Sequence, residues 1–228
     1  MTPWILLDTA TVPGEFSGAG GVLRLYRRGE EFSIKAGNCE LMNSRVHGSE
    51  DALAELACGR VAGRARVRVL IGGLGMGYTL AAALRQVDAA AEVVVAELVP
   101  AVVAWNRGPL APLAGQPLND ARVRVHTQDV GQLMRAASEA FDAILLDVDN
   151  GPEGLTRKAN DWLYGLEGLA AAYAALRPGG VLAVWSAGPE PVFTQRLFKT
   201  GFAVEERTVH AHGGKRGARH RIWLAEKP

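Results

Sequence analysis

Val67-Arg68-Val69-Leu70-Ile71-Gly72-Gly73-Leu74-Gly75-Met76-Gly77-Tyr78-Thr79-Leu80 is the stretch whose reading decides the fold. A β-branched apolar run breaks into four glycines within six residues and resumes as an Ala/Leu-rich helical pattern through Arg85. Such a pattern describes a buried parallel strand that turns tightly into a helix. Glycine is required in that turn because a residue without Cβ tolerates positive φ, and lets backbone N–H groups and the helix N-terminus approach a bound small molecule.

The spacing narrows the ligand. A dinucleotide fingerprint needs Gly-x-Gly-x-x-Gly, and neither Gly72 nor Gly73 can begin one, since Leu74 or Tyr78 then falls where a glycine belongs. No Lys-Ser/Thr pair follows, which removes a phosphate-binding P-loop. What remains is Gly73-x-Gly75-x-Gly77. A second apolar strand, Glu92 to Ala96, then ends in Glu97, roughly 20 residues on, where an acid can accept both hydroxyls of a ribose.

Composition bounds the remaining choices. With 228 residues, 48% of them hydrophobic, the chain can bury a full core as one large domain or one domain plus a small appendage. Its 25 basic and 24 acidic residues leave a net charge of +1, so the whole chain carries no bias towards nucleic acid, and none is expected as a partner. The apolar stretches fall well short of the ~18 residues of a membrane span, and Met1 to Leu7 lacks the charged start of a signal peptide, so no membrane partner and a cytoplasmic location are expected. A homodimer is left open. Cys39 and Cys58 have no Cys-x-x-Cys spacing and read as small hydrophobes. His210-x-His212 has no nearby acid or thiol to complete a metal site, so no metal is expected.

In chain order, Trp4–Asp8, Gly21–Arg28, Glu31–Ala36 and Glu40–Asn43 read as short strands joined by the turns Arg28-Gly29-Glu30 and Gly37-Asn38. They predict a small antiparallel β unit over residues 1–48. Ser49 reads as an N-cap, with Glu50 and Asp51 complementing the dipole of a helix that Gly59 should stop near Cys58. Beyond Glu97, helical and strand patterns alternate as a parallel sheet requires: strands at Arg122–His126, Phe141–Asp147 and Val181–Trp185, helices at Val99–Trp105, Val130–Ala137, Asp161–Leu176 and Pro191–Thr200. Phe202–Val209 and Ala218–Ala225 close the pattern as strands.

Two further acids end strands as Glu97 does: Asp129 after the third, and Asp147 in Leu145-Leu146-Asp147-Val148-Asp149-Asn150-Gly151-Pro152 after the fourth. In an open α/β sheet, ligands bind beyond the carboxyl ends of the strands at the topological switch point. Gly72 to Gly77, Glu97, Asp129 and Asp147 therefore converge on one crevice. Asp129 taken alone is equally an N-cap of the next helix. For Asp147, a carboxylate closing an apolar strand, a ligand is the more economical polar partner.

With these motifs together, the chain resembles the spermidine synthase group of the Rossmann-like S-adenosylmethionine-dependent methyltransferase superfamily. The resemblance rests on the β unit, Leu41-Met42-Asn43-Ser44-Arg45-Val46-His47, the Ile71–Gly77 loop, which resembles motif I of the methyltransferases, Glu97-Leu98-Val99-Pro100, and the Asp147–Pro152 strand end. Leu176-Arg177-Pro178-Gly179-Gly180 is similar to the turn before strand five of methyltransferases generally. It implies an α/β fold with a seven-stranded sheet ending in an antiparallel hairpin, so that residues 49–228 form the donor-binding domain. It implies S-adenosylmethionine, or its decarboxylated form, as donor and a small molecule as acceptor.

Two departures weigh on the reaction. Aminopropyltransferases carry Asp-Ser/Thr-Ser/Thr-Asp-Pro before Gly-Pro, the second aspartate deprotonating the amine; here Asn150 stands near that place, and an amide cannot accept a proton. The glycine loop has Leu74-Gly75-Met76 in place of the acid-containing loop of polyamine enzymes. The sequence reading is therefore methyl transfer to a small molecule, with aminopropyl transfer as the alternative and a non-catalytic binding protein as the second. Gly72, Gly73, Gly75 and Gly77 are assigned to the donor backbone, Glu97 to the ribose and Asp129 to the adenine amino group. Asp147, Asp149 and Asn150 are assigned to the reacting centre, and His47 and Tyr78 to the acceptor.

Overall fold

The computed structural model describes residues 2–13, 21–148, 162–212 and 217–228. The first four strands, β1 (Ile5–Thr11), β2 (Val22–Arg28), β3 (Glu31–Ala36) and β4 (Cys39–Asn43), form an antiparallel meander in chain order. The turn glycines Gly29 and Gly37 both take positive φ, which the two-residue hairpins need. Helix α1 (Gly48–Arg60) then leads to β5 (Arg68–Gly72), the strand of the glycine motif.

From β5 the chain alternates as the pattern of apolar runs demands: α2 (Tyr78–Gln86), β6 (Glu92–Ala96), α3 (Pro100–Arg107), β7 (Val123–His126), α4 (Val130–Ala136), β8 (Phe141–Leu146), α5 (Leu166–Ala175), β9 (Leu176–Ser186), α6 (Pro191–Thr200), β10 (Ala203–His210) and β11 (Arg219–Glu226). The seven later strands lie in the order β10-β11-β9-β8-β5-β6-β7. β5 to β9 pair in parallel, whereas β11 runs antiparallel to both β9 and β10. The fold is thus a Rossmann-like, mostly parallel seven-stranded sheet with a small antiparallel unit before it. Its strand order reverses at β5, between β6 and β8.

Both faces of the large sheet are covered, which explains why its strands read as continuous apolar runs. Alternate residues divide cleanly. Val69 and Ile71, Val93 and Val95, Ala143 and Leu145 face α1, α2 and α3. Leu70, Val94, Ile144 and Leu146 face α4, α5 and α6. Leu25, Phe32 and Ile34 of the small sheet belong to the first of these cores, so the meander is packed onto the larger sheet through shared apolar surface. Among the described residues no helix is long and apolar enough to cross a membrane.

Several boundaries differ from expectation for local reasons. α1 starts one residue before Ser49, with His47 at the cap position and no side-chain cap bond, because Ser49 turns its hydroxyl elsewhere. The helix runs through Gly59 and ends where the Val61 N–H returns to the Cys58 carbonyl. Arg177–Gly180 is absorbed into β9 as an irregular start, with Gly179 at φ +66° and its N–H on the Lys227 carbonyl. α5 begins at Leu166; Asp161, the expected start, lies outside the described residues.

The opposite end of the sheet from the glycine turn is fastened by Asp142, 3% exposed in its side chain. It accepts from the Arg68 backbone N–H at 2.8 Å, Arg64 Nη1 at 3.1 Å and Arg177 Nη1 at 2.7 Å, joining β5, β8 and β9. Removing it strands a buried N–H and leaves two guanidinium groups to water, which reaches them because each is about a third exposed. Asp142→Ala should therefore cost about 2–3 kcal/mol. Urea denaturation checks this, and a loss below about 1 kcal/mol would show that the arginines simply re-solvate.

Candidate active site

At the reversal point the β5 turn bends back on itself. Gly73 lies at φ +88°, and a Cβ there would stand 2.4 Å from the Asp147 carbonyl oxygen, so no larger residue fits between β5 and the end of β8. Its N–H donates to the Ala96 carbonyl at 2.9 Å. Gly75, at φ +52°, makes room for Met42 of β4, whose Sδ would be 2.8 Å from a Cβ. Gly77 is the left-handed residue that opens α2 and packs against Asn106. Gly72 abuts Val130 and Leu146, where a side chain would separate α4 from the sheet.

Above this turn lies a cavity of about 420 Å³, within the roughly 300–1,000 Å³ of small-molecule sites. Its floor is made of the strand ends and its roof of the small sheet, with Val12, Leu23, Ile34 and Met42 facing in. Of the expected residues, Gly73, Gly75, Glu97, Asp129 and Asp147 line it. Gly72 and Gly77 lie behind the wall. Tyr78 is buried with its hydroxyl donating to the Ser44 carbonyl at 3.1 Å, and its ring stacks on His47 at 4.1 Å between centroids. His47 is bonded through Nδ1 to Asp51 at 2.7 Å and opens onto a separate surface hollow shared with Arg45 and His212. Asp149 and Asn150 lie outside the described residues.

The acids differ in how they are held. Glu97 is 7% exposed and accepts the Leu74 N–H at 2.9 Å on one oxygen and the Val99 N–H at 2.8 Å on the other. Burial raises its pKa, and those backbone donors oppose the rise. Asp129 caps α4, accepting from the Gly131 N–H at 2.7 Å, while facing the cavity. Asp147 takes the Thr79 hydroxyl at 2.6 Å, and burial pushes its carboxyl up.

The sequence reading did not assign the other polar lining groups to the site. Glu50, read from sequence as a helix-dipole acid, faces the cavity, where burial and the neighbouring Asp147 push its carboxyl up to about 7. Ser49 donates to it at 2.6 Å and is itself met by His220 Nδ1 at 2.9 Å. Glu40, from β4, completes the acids. Trp185, at the carboxyl end of β9, carries a buried Nε1 with no acceptor among the described residues; the strand-end logic that found Glu97 would have found it. Every charged side chain lining the cavity among the described residues is thus acidic, with His220 as the one imidazole.

A strand, glycine turn and helix with acids at the following strand ends, on a sheet closed by an antiparallel pair, define a Rossmann-like fold of the methyltransferase type. The chain matches the spermine/spermidine synthase domain over residues 51–201, 151 of its 228 residues, and belongs to that family. A polyamine aminopropyltransferase of Mycobacterium tuberculosis is 31% identical over 151 residues, 62% of this chain and 28% of that protein. The chain therefore spans little more than a quarter of the length of the curated relatives it matches. Spermidine synthase from Thermotoga maritima superimposes with a TM-score of 0.75 at 15% identity, covering 98% of this chain and 73% of that one. A putative O-methyltransferase from Klebsiella pneumoniae gives 0.55 at 18% identity, over 79% of this chain and 80% of that one. At these identities the structural likeness is one of fold.

Two outcomes follow from the geometry. Glu97→Gln replaces one accepting oxygen by an NH₂ group facing a backbone donor, so the unfolding free energy should fall by about 1–3 kcal/mol with no ligand added; an unchanged midpoint in urea would show the loop holds without the clamp. For Glu50, a folded pKa above the unfolded value means that the unfolded state releases its proton first. Its contribution to stability is full below about pH 4.5 and is lost as pH rises to about 7. The melting temperature should decline across that window and level off above it, and the decline should be shallower in Glu50→Gln.

Proposed function

We propose that the chain transfers an aminopropyl group from decarboxylated S-adenosylmethionine to an amine of a polyamine. The observation that carries this reading is the sign of the cavity wall: Glu40, Glu50, Glu97, Asp129 and Asp147 line it, and no lysine or arginine does so among the described residues. Carboxylates gathered in a partly enclosed space repel one another and invite cations. A polyamine and a decarboxylated donor bring ammonium and sulfonium charges alone, whereas S-adenosylmethionine also brings a carboxylate that finds no basic partner among the described lining residues. The family membership supports the same choice, as does the match to an aminopropyltransferase.

The residues present fit such a donor. The left-handed turn at Gly73 and Gly75 leaves backbone open to close approach, and Glu97 stands at the end of β6 in the position suited to ribose hydroxyls. When bound, the donor supplies an electrophilic carbon on a sulfonium. The chain's own task is to hold acceptor and donor in line and to relieve the amine of a proton, which at neutral pH is almost wholly present because such amines titrate near 10.4. Asp147 and Glu50 face the space where an ammonium would sit.

Methyl transfer to a small molecule is the second reading, favoured by Asn150 near the place of the expected base. The two separate by donor and by product mass. Decarboxylated donor should bind at least about tenfold more tightly than S-adenosylmethionine, a difference of about 1.4 kcal/mol in calorimetry. Incubation with putrescine should give the aminopropyl adduct by mass spectrometry. Tighter binding of S-adenosylmethionine, with methyl mass appearing on an acceptor, would decide for methyl transfer instead.

A further inference from the structure

The aminopropyl reading leaves the proton unaccounted for. Asn150 cannot take it, and most acids of the cavity are already committed. Glu97 holds two backbone N–H groups, Asp129 caps α4, and Asp147 accepts from Thr79. Glu40 accepts from Ser33 Oγ at 2.7 Å and from Asn43 Nδ2 at 2.9 Å. Glu50 differs. Its side-chain partner, the Ser49 hydroxyl, is met in turn by the His220 imidazole, a link that no other acid of the cavity has among the described residues.

We infer that Glu50, set beside Asp147 at the mouth of α1 and linked through Ser49 to His220, is the base that deprotonates the attacking amine. The assignment rests on the aminopropyl reading. Ser49 spends its one hydroxyl proton on Glu50, so His220 donates to Ser49 from Nδ1. Burial keeps that imidazole neutral by lowering its pKa.

The groups around Glu50 set its basicity. Asp147, from the end of β8, and Asp51, on the same helix, both raise its pKa, and the Tyr78 phenol from α2 stays protonated with its own pKa pushed to about 12. Asp51 is itself tied to His47 and to Arg85. A carboxyl near 7 suits base work at neutral pH far better than an ordinary one. An arriving ammonium relieves the repulsion from Asp147 and allows Glu50 to ionise beside it.

The step balances. The ammonium N–H bond breaks and its proton goes to the Glu50 carboxylate. The freed lone pair forms the new C–N bond as the C–S bond breaks, and that electron pair stays on sulfur, leaving a neutral thioether. The product nitrogen keeps its positive charge. Glu50 returns its proton to solvent as product leaves.

The test uses the full chain with decarboxylated S-adenosylmethionine and putrescine, between pH 6 and 9. Glu50→Gln should lower kcat by at least about 100-fold. It should abolish the rise of kcat/KM through about pH 7, and leave donor affinity within about twofold. Glu50→Asp should recover part of the rate and restore a pH limb. A Glu50→Gln protein that keeps both rate and limb, or one whose donor affinity falls along with the rate, overturns the assignment. So does turnover that survives Glu50→Gln and vanishes in Asp149→Asn, an outcome that leaves aminopropyl transfer standing. A wild type that yields no aminopropyl product removes the reading and the base together.

Discussion

The carboxylate of Glu97 is the joint on which the site depends. It sits at the end of β6, 7% exposed, with one oxygen on the Leu74 N–H and the other on the Val99 N–H. The first bond fixes the glycine turn after β5, and the second fixes the start of α3. A glycine-rich turn has more backbone freedom to lose than any other segment. Left to itself it would sample many conformations; the carboxylate, with the Gly73 N–H on the Ala96 carbonyl, selects one. A charged group in that position is costly unless hydrogen-bonded, and two backbone donors meet that requirement. The same carboxylate lines the cavity in a fixed orientation.

Acid convergence elsewhere in the site has the opposite energetic character. Burial raises the pKa of both Asp147 and Glu50, Asp147 raises that of Glu50 further, and neither is neutralised by a basic side chain in the cavity wall among the described residues. Arginines are abundant in the chain, yet those nearest the sheet serve Asp142 at its other end. The molecule thus separates its charges along the strand direction: paired at the amino ends of β5, β8 and β9, unpaired at the carboxyl ends. Strain concentrated at one end of a well-fastened sheet can persist because the rest of the fold outweighs it.

How much of this was legible follows from which signals are local. The alternation of Val69, Leu70 and Ile71 between two cores, the glycines, and the strand-end positions of Glu97, Asp129 and Asp147 are all properties of short windows, and the α/β sheet could be read from them, whereas its antiparallel closing pair came only from the family resemblance. Asp129 was legible in both its aspects, since capping α4 and facing the cavity use the same carboxylate. Glu50 and His220 were not legible. In sequence they are a first-turn acid and a hairpin histidine; only the crossing that brings β11 beside α1 puts His220 against Ser49, 171 positions apart. Tyr78 and His47 show the reverse case. They were assigned to the acceptor from the sequence; in the structure the pair is stacked ring on ring, with His47 on Asp51 and Tyr78 on the Ser44 carbonyl, and neither lines the main cavity.

The division between roof and floor bears on specificity. The floor is built from strand ends of the large sheet, whose positions are set by hydrogen-bonded register and cannot shift singly. The roof comes from the meander, where Val12, Leu23, Ile34 and Met42 present apolar surface and Glu40 one acid. Apolar walls discriminate weakly, at roughly 1–3 kcal/mol per methylene, whereas a buried polar group left unpaired discriminates strongly. Trp185 Nε1 is a buried donor with no acceptor among the described residues, but its burial keeps it from the open space of the cavity. The polyamine reading therefore leans on the floor, where Glu50 and Asp147 supply charge from a helix start and a strand end, while the roof adds mainly apolar contact.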